Sequence, residues 1–442
     1  MKIHIADCKN GEDVVYSLYK KQLRKRGVLM HTKEYDILVI GGGASGLVAA
    51  IFAAEQNPRL KIGVVEKNGR VGKKILVTGN GRCNLSNTDI RVENYHGANP
   101  RFVTSALHQL DGVATLDFFE GLGVMAWTEE GKIYPYSLQA SSVLDVLRTA
   151  TAMRGIEEIC EFDCVHLQKA GEGFVVCAKD GRTFRAKRVI AACGSIAGIK
   201  GDEGGSYGLL EWLGHTRTAL YPSLVQLKTR ENTASVKGVK FMGTACVYVD
   251  GTMQQEEYGE ILFTDYGLSG PPIFALSRIA SVETAAGRKV EIGLNLMSDK
   301  TKDEIYAHLL NRNRHVPLEG FLIGMLHKLV AVRLLKEITD QKMTAQATVL
   351  NGTHLYRLAE LICDWRFEIT GTNPWSAAQV CAGGICTEEF NPSTMESKLV
   401  QGLYCTGEML DIDGDCGGYN LQWAWSSGAV AGMHAAQGLG VR

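Results

Sequence analysis

No stretch of this chain approaches the roughly twenty consecutive apolar residues that a membrane-crossing helix needs, and none of its 12 cysteines falls in a C-x-x-C pair. The first absence argues against a spanning helix. The second removes the tight ligand grouping on which zinc sites and iron–sulfur clusters usually depend. The closest thiol pairs are Cys160 with Cys164 and Cys381 with Cys386, so no metal site is expected. An excess of one charge is missing too: 47 Lys and Arg against 48 Asp and Glu leave a formal net charge of −1. That balance gives no general attraction to nucleic acid or anionic lipid, and the expected partner is a small molecule, with no nucleic acid and no membrane. The N-terminal segment MKIHIADCKNGEDVVYSLYKKQLRKRG has no apolar signal core, which points to the cytoplasm and to cysteines kept as buried free thiols. Internal repeats and low-complexity linkers are absent as well.

What is present begins with size. A chain of 442 residues with 45% hydrophobic composition supports two or three domains with a substantial core. Residues 1–34 precede the first clear element. EDVVYSLYKKQLRKRG within them has helical periodicity and ends in the basic cluster Lys20, Lys21, Arg24, Lys25 and Arg26. This reads as a solvated helix or a loosely attached extension, and Met30 is an alternative start.

The most informative segment is YDILVIGGGASGLVAAIFAAEQ. Asp36 to Ile40 reads as a short buried strand of a parallel sheet. Gly41, Gly43 and Gly46 follow in G-x-G-x-x-G spacing, with Ala44 and Ser45 at the start of a helix that runs to about Gln56. The first glycine permits a tight turn, the second lets backbone approach a pyrophosphate, and the third lets helix and strand pack closely. A second strand, KIGVVEK, ends at Glu66 and Lys67, and an acid at Glu66 is placed to accept hydrogen bonds from a ribose.

The fingerprint alone does not separate FAD from NAD; the rest of the chain does. A further apolar strand in RVIAACGSIAG ends at Gly194 without a second fingerprint. Much later, Leu403 to Thr406 reads as a third buried strand, followed by Gly407 and Glu408, an acidic glycine-rich loop through Asp413 and Gly418, and a small-residue helix from about Gln422. An acid after a late strand and a helix N-terminus, with Tyr419 and Asn420 beside it, suit the ribitol and pyrimidine end of a flavin. A molecule held at one end by the first βαβ unit and at the other by the C-terminus fits FAD.

Three segments, GGGASGLVAA, GKKILVTGNGRCNLSN and GEMLDIDGDCGGYNLQWAWSSG, together resemble the BaiN/YhiN-like NAD(P)/FAD-dependent oxidoreductases, which have the glutathione-reductase-type FAD fold. The resemblance runs from Tyr35 to the end. It implies an α/β chain in which a Rossmann-like FAD-binding domain, 35–216 and 372–442, carries an inserted β-barrel domain, 217–371, with a helical insertion at about 298–346. It also implies that Lys74, Arg82 and Asn84 lie near the flavin or its phosphates, with Thr78, Gly79 and Gly81 of the same loop. For Lys73 and Ser86 a polar loop capping the sheet is the alternative reading. Val165, on the first strand of a β-meander between about Gly155 and Gly194, is the candidate for the adenine side, with a core valine as the alternative. GDEGGSYGLLEWLGH, 201–215, is similar to a flavin-facing segment of fumarate reductases and ketosteroid dehydrogenases, and equally reads as a plain helix start.

Disulfide reductases of that broad fold carry a cysteine pair soon after the ribose-binding acid. Here Cys83 stands alone, so it is expected to pack rather than to relay electrons. The inserted region reads as β-rich from about Tyr221 to Met297, punctuated by Pro271 and Pro272, then helical to about Gln346, with LHKLVAVRLLKEI as a core-facing helix. The activity that the family implies is NAD(P)H-dependent reduction of the C=C bond of 3-oxo-Δ4 or Δ6 bile-acid intermediates. An aminoacetone-type amine oxidase and a flavin-binding protein without turnover are the alternatives. No acid–base residue is assigned. Tyr136, Tyr207 and Tyr419 are candidate donors to a carbonyl or packing residues, and Trp423 and Trp425 candidate walls of a substrate cleft or core.

Overall fold

The computed structural model describes residues 32–198 and 206–439. The basic cluster at 20–26, Met30 and the glycine-rich run 201–205 lie outside the described residues. The sheet that organises the chain contains the strands β1 (Thr32–Ile40), β2 (Ile62–Val65), β3 (Glu157–Ile159), β4 (Cys164–Ala170), β5 (Gly173–Ala178) and β6 (Thr183–Ala191) in the order β3-β2-β1-β6-β5-β4. β1, β2, β3 and β6 are parallel, and β4 and β5 form the antiparallel meander. The apolar run Ile37–Ile40 is buried because neighbours flank it on both sides, β2 and β6.

Helix α1 (Ala44–Gln56) leaves β1 through the glycines. Gly41 has φ +110°, and a methyl group there would meet the Ala192 carbonyl oxygen at 2.3 Å. One at Gly46 would meet the Gly41 oxygen at 2.0 Å. Turn and close packing therefore both require glycine. Helices α2 (Val103–Gln109), α3 (Gly112–Gly121) and α4 (Ala140–Met153) fill the passage to β3.

The middle of the chain closes a six-stranded antiparallel barrel: β7 (Leu227–Thr229), β8 (Lys240–Val249), β9 (Thr252–Phe263), β10 (Gly267–Ser269), β11 (Val290–Asn295) and β12 (Trp365–Thr372), in the order β7-β10-β9-β8-β11-β12. Phe263, Trp365 and Phe367 meet in its core with ring centroids 4.7 to 5.9 Å apart. Two features differ from the sequence reading. Pro271 and Pro272 open a helix, α5 (Pro271–Ala285), where only strands were expected. Proline is favoured in a helix's first turn because the N–H it lacks has no partner there anyway. The helical stretch also continues past Gln346: after α6 (Lys302–Asn311) and α7 (Lys328–Ile338) comes α8 (Gly352–Cys363), which turns Leu355, Leu358 and Ile362 into the barrel's core. α7 buries Val330, Ala331, Leu334 and Leu335 as its periodicity predicts.

The chain then returns. Strand β13 (Leu403–Cys405) adds to the main sheet parallel to β6. Helix α9 (Tyr419–Ala436) begins three residues before the expected start and lies against α1. A methyl group at Gly428 would meet the Ser45 carbonyl oxygen at 2.4 Å, and one at Gly432 the Ala49 oxygen at 2.2 Å. The two helices thus touch backbone to backbone, one turn apart. Trp423 and Trp425 are both fully buried, with indole N–H groups donating to the carbonyls of Gly407 and Leu85 at 3.0 and 2.9 Å. Neither is a cleft wall; both are core. Gly432→Ala should cost about 1–3 kcal/mol of stability, the usual range for overpacking a tight core, with Gly428→Ala similar. Urea unfolding monitored by tryptophan fluorescence measures it, and an unchanged midpoint would show that the contact is not tight.

Candidate cofactor site

Two helices from opposite ends of the chain, α1 and α9, run side by side in the same direction. The caps of α1 and α9 are Gly43 and Gly418, and neither helix has a capping side chain. The N–H groups of their first turns are therefore left for a ligand. A methyl group at Gly43 would meet nothing within 4 Å, in contrast to Gly41 and Gly46, so open space lies at the α1 end. Glu66 stands beside it: one carboxylate oxygen accepts the Gly42 N–H at 3.0 Å and the other the Asn68 N–H at 2.9 Å. Lys67 is exposed next to it.

Ser45 and Gly407 come together although far apart in sequence. A methyl group at Gly407 would lie 2.8 Å from the Ser45 hydroxyl. Gly407 (φ +65°) donates its N–H to the Ser427 hydroxyl at 2.9 Å. Glu408 accepts from the Cys381 N–H at 2.9 Å and pairs with Lys74 at 3.5 Å. The Lys74 ammonium also donates to the Ser195 carbonyl at 2.9 Å, and it lies 3.8 Å from where a methyl group on Gly194 would sit. Lys74, Gly194, Gly407 and Glu408 are therefore one cluster.

The loop 78–87 is held in a rare backbone shape: Gly79, Asn80, Gly81 and Cys83 all have φ between +54° and +84°. The Thr78 hydroxyl donates to the Ile75 carbonyl at 2.7 Å, and the Thr78 carbonyl accepts the Cys83 N–H at 3.0 Å. Arg82 lies over the Tyr134 ring, 4.3 Å from its centroid, and pairs with Glu129 at 3.1 Å. Its guanidinium is thus tied to the hairpin Ala126–Glu129/Lys132–Pro135. The Asn84 Oδ1 is buried with no hydrogen-bond partner and would lie 2.8 Å from a methyl group on Gly418. Cys83 is completely buried, and burial pushes its thiol up to about 12. It packs; a thiol held in that form is a poor electron relay.

At the other end, Asp413 is fully buried and accepts from the Arg278 guanidinium of α5 at 2.8 Å, while its Oδ1 has no partner. Burial raises its pKa. Tyr419 stacks edge-on with Tyr95, and Asn420 closes the loop by bonding both the N–H and the carbonyl of Gly414, at 2.8 and 2.7 Å. Gln422 accepts the Ser86 hydroxyl at 2.6 Å and donates to Leu110, Thr115 and Ser426, with no exposed surface. Its amide is engaged inside the protein, and it supports the loop instead of reaching a ligand. Ser86 shares that role. Val165 is 47% exposed on β4, so it is not a core valine. Of the tyrosines, Tyr207 is buried with its hydroxyl 3.8 Å from the Cys381 sulfur, whereas Tyr136 is exposed. Sequence reasoning missed Ser195, whose carbonyl accepts from Lys74, and Arg278, which sits in a helix within a stretch read as β-rich.

Open space at one helix N-terminus, an acid at the end of β2, and two buried acceptors without donors around the other N-terminus fit a dinucleotide that carries hydroxyl and ring N–H groups along its length. The profile of the HI0933-like protein Rossmann domain matches residues 35–434. The chain belongs to this family. It is 37% identical over 404 residues to the 3-dehydro-bile acid delta(4,6)-reductase of Clostridium scindens, covering 90% of this chain and 98% of that one. It is 29% identical over 405 residues to the ribosomal RNA dihydrouridine synthase of Escherichia coli, covering 89% and 96%. Among solved structures it is similar to the 3-ketosteroid-delta4-(5alpha)-dehydrogenase of Rhodococcus jostii, with 13% identity, a TM-score of 0.46 and coverage of 93% and 98%. HI0933-like membership and the Rossmann fold make this protein an FAD-binding flavoprotein of the oxidoreductase class. Among the described residues no helix is long and apolar enough to cross a membrane, and no three His, Cys, Asp or Glu side chains are grouped as a metal ion would need.

Glu66→Ala should weaken FAD binding by about 1–3 kcal/mol, as expected for hydrogen bonds to a charged group, read by titrating stripped protein with FAD. Full retention of affinity would move the ribose contact elsewhere. Cys83→Ser should leave flavin reduction within a few-fold of the parent, and native Cys83 should resist alkylation at pH 8. A near-complete loss of flavin reduction would reinstate a thiol relay.

Proposed function

We propose that this flavoprotein reduces a C=C bond conjugated with a carbonyl, with a 3-oxo-Δ4 or Δ4,6 steroid of the bile-acid type as substrate and NADH or NADPH as donor. The observation that carries the reading is the 37% identity across 98% of the C. scindens reductase. Bound FAD supplies hydride transfer through its N5. Gly41, Gly43, Ser45 and Glu66 would hold its adenosine and pyrophosphate end, and Lys74, Gly407, Glu408 and the loop at Asn84 and Gly418 its flavin end. The chain's remaining tasks are to hold the carbonyl oxygen by a donor and to deliver a proton to the α-carbon. Substrate enters between the FAD-binding parts, 35–216 and 372–442, and the inserted part, 217–371.

The E. coli relative makes dihydrouridine in ribosomal RNA. The C5=C6 bond of uracil is likewise conjugated with a carbonyl, so one reaction class covers both relatives. Charge favours the small molecule here. RNA binding draws on cations free to neutralise several phosphates. This chain carries a net charge of −1, and near the loop Lys74 and Arg82 already face Glu408 and Glu129.

Anaerobic protein reduced by NADH or NADPH should be reoxidised by a 3-oxo-Δ4 bile-acid derivative much faster than by uridine-containing RNA or by air, with stopped-flow flavin absorbance as the readout. Faster reoxidation by RNA would transfer the substrate to ribosomal RNA. Fast reoxidation by oxygen after reduction by aminoacetone, with the enone inert, would make the enzyme an oxidase.

A further inference from the structure

Of the histidines among the described residues, only His215 is buried, and its imidazole has no exposed surface. It follows the helical turn Gly208–Glu211 and stacks on Phe390, with ring centroids 4.6 Å apart and planes 17° from parallel. Both ring nitrogens are engaged. Nδ1 lies 2.8 Å from Glu389 Oε2, and Nε2 lies 3.0 Å from the Ser397 hydroxyl.

The partners fix where the protons are. A serine hydroxyl donates once and accepts twice. Ser397 already accepts the N–H groups of Leu399 and Val400, at 3.0 and 2.9 Å. Its own proton therefore goes to His215 Nε2, which must be bare. The imidazole is neutral, with its proton on Nδ1 and donated to Glu389. A second ring proton would face a hydroxyl with no acceptor to spare, and Ser397 would have to give up the turn it closes. Burial opposes that proton too, and holds His215 below its ordinary pKa of 6.5 in spite of Glu389. Glu389 is the charged group that faces the ring. The other charges on these segments are engaged elsewhere or exposed: Arg217 pairs with Glu211 at 2.7 Å, Lys398 donates to the Glu388 carbonyl at 2.8 Å, Glu396 accepts the Gly402 N–H at 2.8 Å, and Glu388 is exposed.

The contact joins two stretches that both support Glu408. On one side, the Cys386 N–H donates to the Thr216 carbonyl and the Thr218 N–H to the Gly384 carbonyl, each at 2.9 Å, in the stretch that follows Cys381, whose N–H holds Glu408. On the other, the Ser397 N–H donates to the Leu403 carbonyl at 2.7 Å and the Cys405 N–H to the Met395 carbonyl at 3.1 Å. The turn that Ser397 closes therefore borders β13, which ends three residues before Glu408.

We propose that His215 is an acid-sensitive latch: neutral, it locks the turn at Ser397 against residues 215–218 and keeps Glu408 in place; protonated, it frees that turn and loosens the hold on FAD. The cofactor half rests on the placement of Glu408 at the flavin end given above. Because the ring is harder to protonate in the folded protein than in the unfolded chain, the latch contributes its full stabilisation above pH 6.5 and loses it as pH falls through the lowered value. Glu389 stays ionised across this window: its burial is outweighed by the donors of Thr216 and His215, which hold it below its ordinary 4.5.

The test uses the FAD-loaded protein. NMR of the imidazole nitrogens, with the His215 signals assigned by their loss in His215→Asn, should show a neutral ring protonated on Nδ1 and a titration midpoint below 6.5. Between pH 7.5 and 5.0, the hydrogen-exchange protection of the 396–400 amides should fall about tenfold relative to the barrel, and the FAD dissociation constant should rise about threefold. His215→Asn, which keeps a donor for Glu389 but has nothing to titrate, should hold both quantities nearly constant over that range. In the parent alone, a midpoint at or above 6.5, a neutral ring protonated on Nε2, or protection that does not change with pH overturns the proposal. Glu408→Gln at pH 7.5 reads the placement of Glu408 separately. Unchanged FAD affinity in that variant overturns the placement and the cofactor half with it. Weakened affinity there, beside parent affinity that ignores pH, overturns the latch and leaves the placement standing.

Discussion

Everything at the cofactor site depends on two helices that begin and end the FAD-binding fold lying in backbone contact. α1 starts at the fingerprint and α9 closes the chain, and Gly428 and Gly432 let α9 approach until its Cα atoms face the carbonyls of Ser45 and Ala49. Glycines four apart form one groove along the helix. That approach fixes the height at which α9 begins. Gly407 then meets Ser45, and because α9 starts nine residues before Gly428 while α1 starts one before Ser45, the N-terminus of α9 lies roughly 12 Å further along than that of α1. A larger residue in the groove would tilt α9 and displace the whole loop 407–418. Two sites more than 360 residues apart in sequence are thereby made into one.

The loop 78–87 is the second constraint, and it is a strained one. A left-handed conformation costs a residue with a side chain of order 1 kcal/mol, and both Asn80 and Cys83 adopt it. What holds them is local: Cys83 is locked by burial and by the Thr78 carbonyl, Arg82 by the Tyr134 ring and Glu129, and Ser86 by Gln422 of α9. Strain of this kind concentrates where backbone must present its groups to a ligand. The outcome for Asn84 is an amide oxygen pressed against the start of α9 with no protein donor.

Strand, glycines, helix and acid were readable in the sequence because each is dictated by its neighbours within a few residues: the turn at Gly41, the close contact at Gly46, and the end of β2 at Glu66. The return of β13 to the main sheet was readable from an apolar run followed by glycine and an acid. What was not readable is what depends on distant partners. Gln422 looks like a flavin contact by its place at a helix start, and only its four partners, from Ser86 to Ser426, show it to be internal. Pro271 and Pro272 look like breaks in a β-rich stretch, and only the fold shows them as the first turn of α5.

Barrel and FAD-binding fold are joined by a charge pair that is hard to explain as a source of stability alone. Arg278 of α5 reaches Asp413 across 135 positions of sequence, and the Asp413 side chain is 1% exposed. Removing both charges from water cancels much of their attraction, so such pairs often add little net stability. Their geometry is nonetheless exacting: Asp413 offers one oxygen to Arg278 and leaves the other without a donor. Carbon side chains could join the two parts as firmly, but not with an acceptor aimed and left over. The pair therefore sets the barrel at a fixed position relative to the loop and keeps one oxygen for whatever lies beyond it. A single buried contact thus ties the barrel's α5 to the loop that leads into α9.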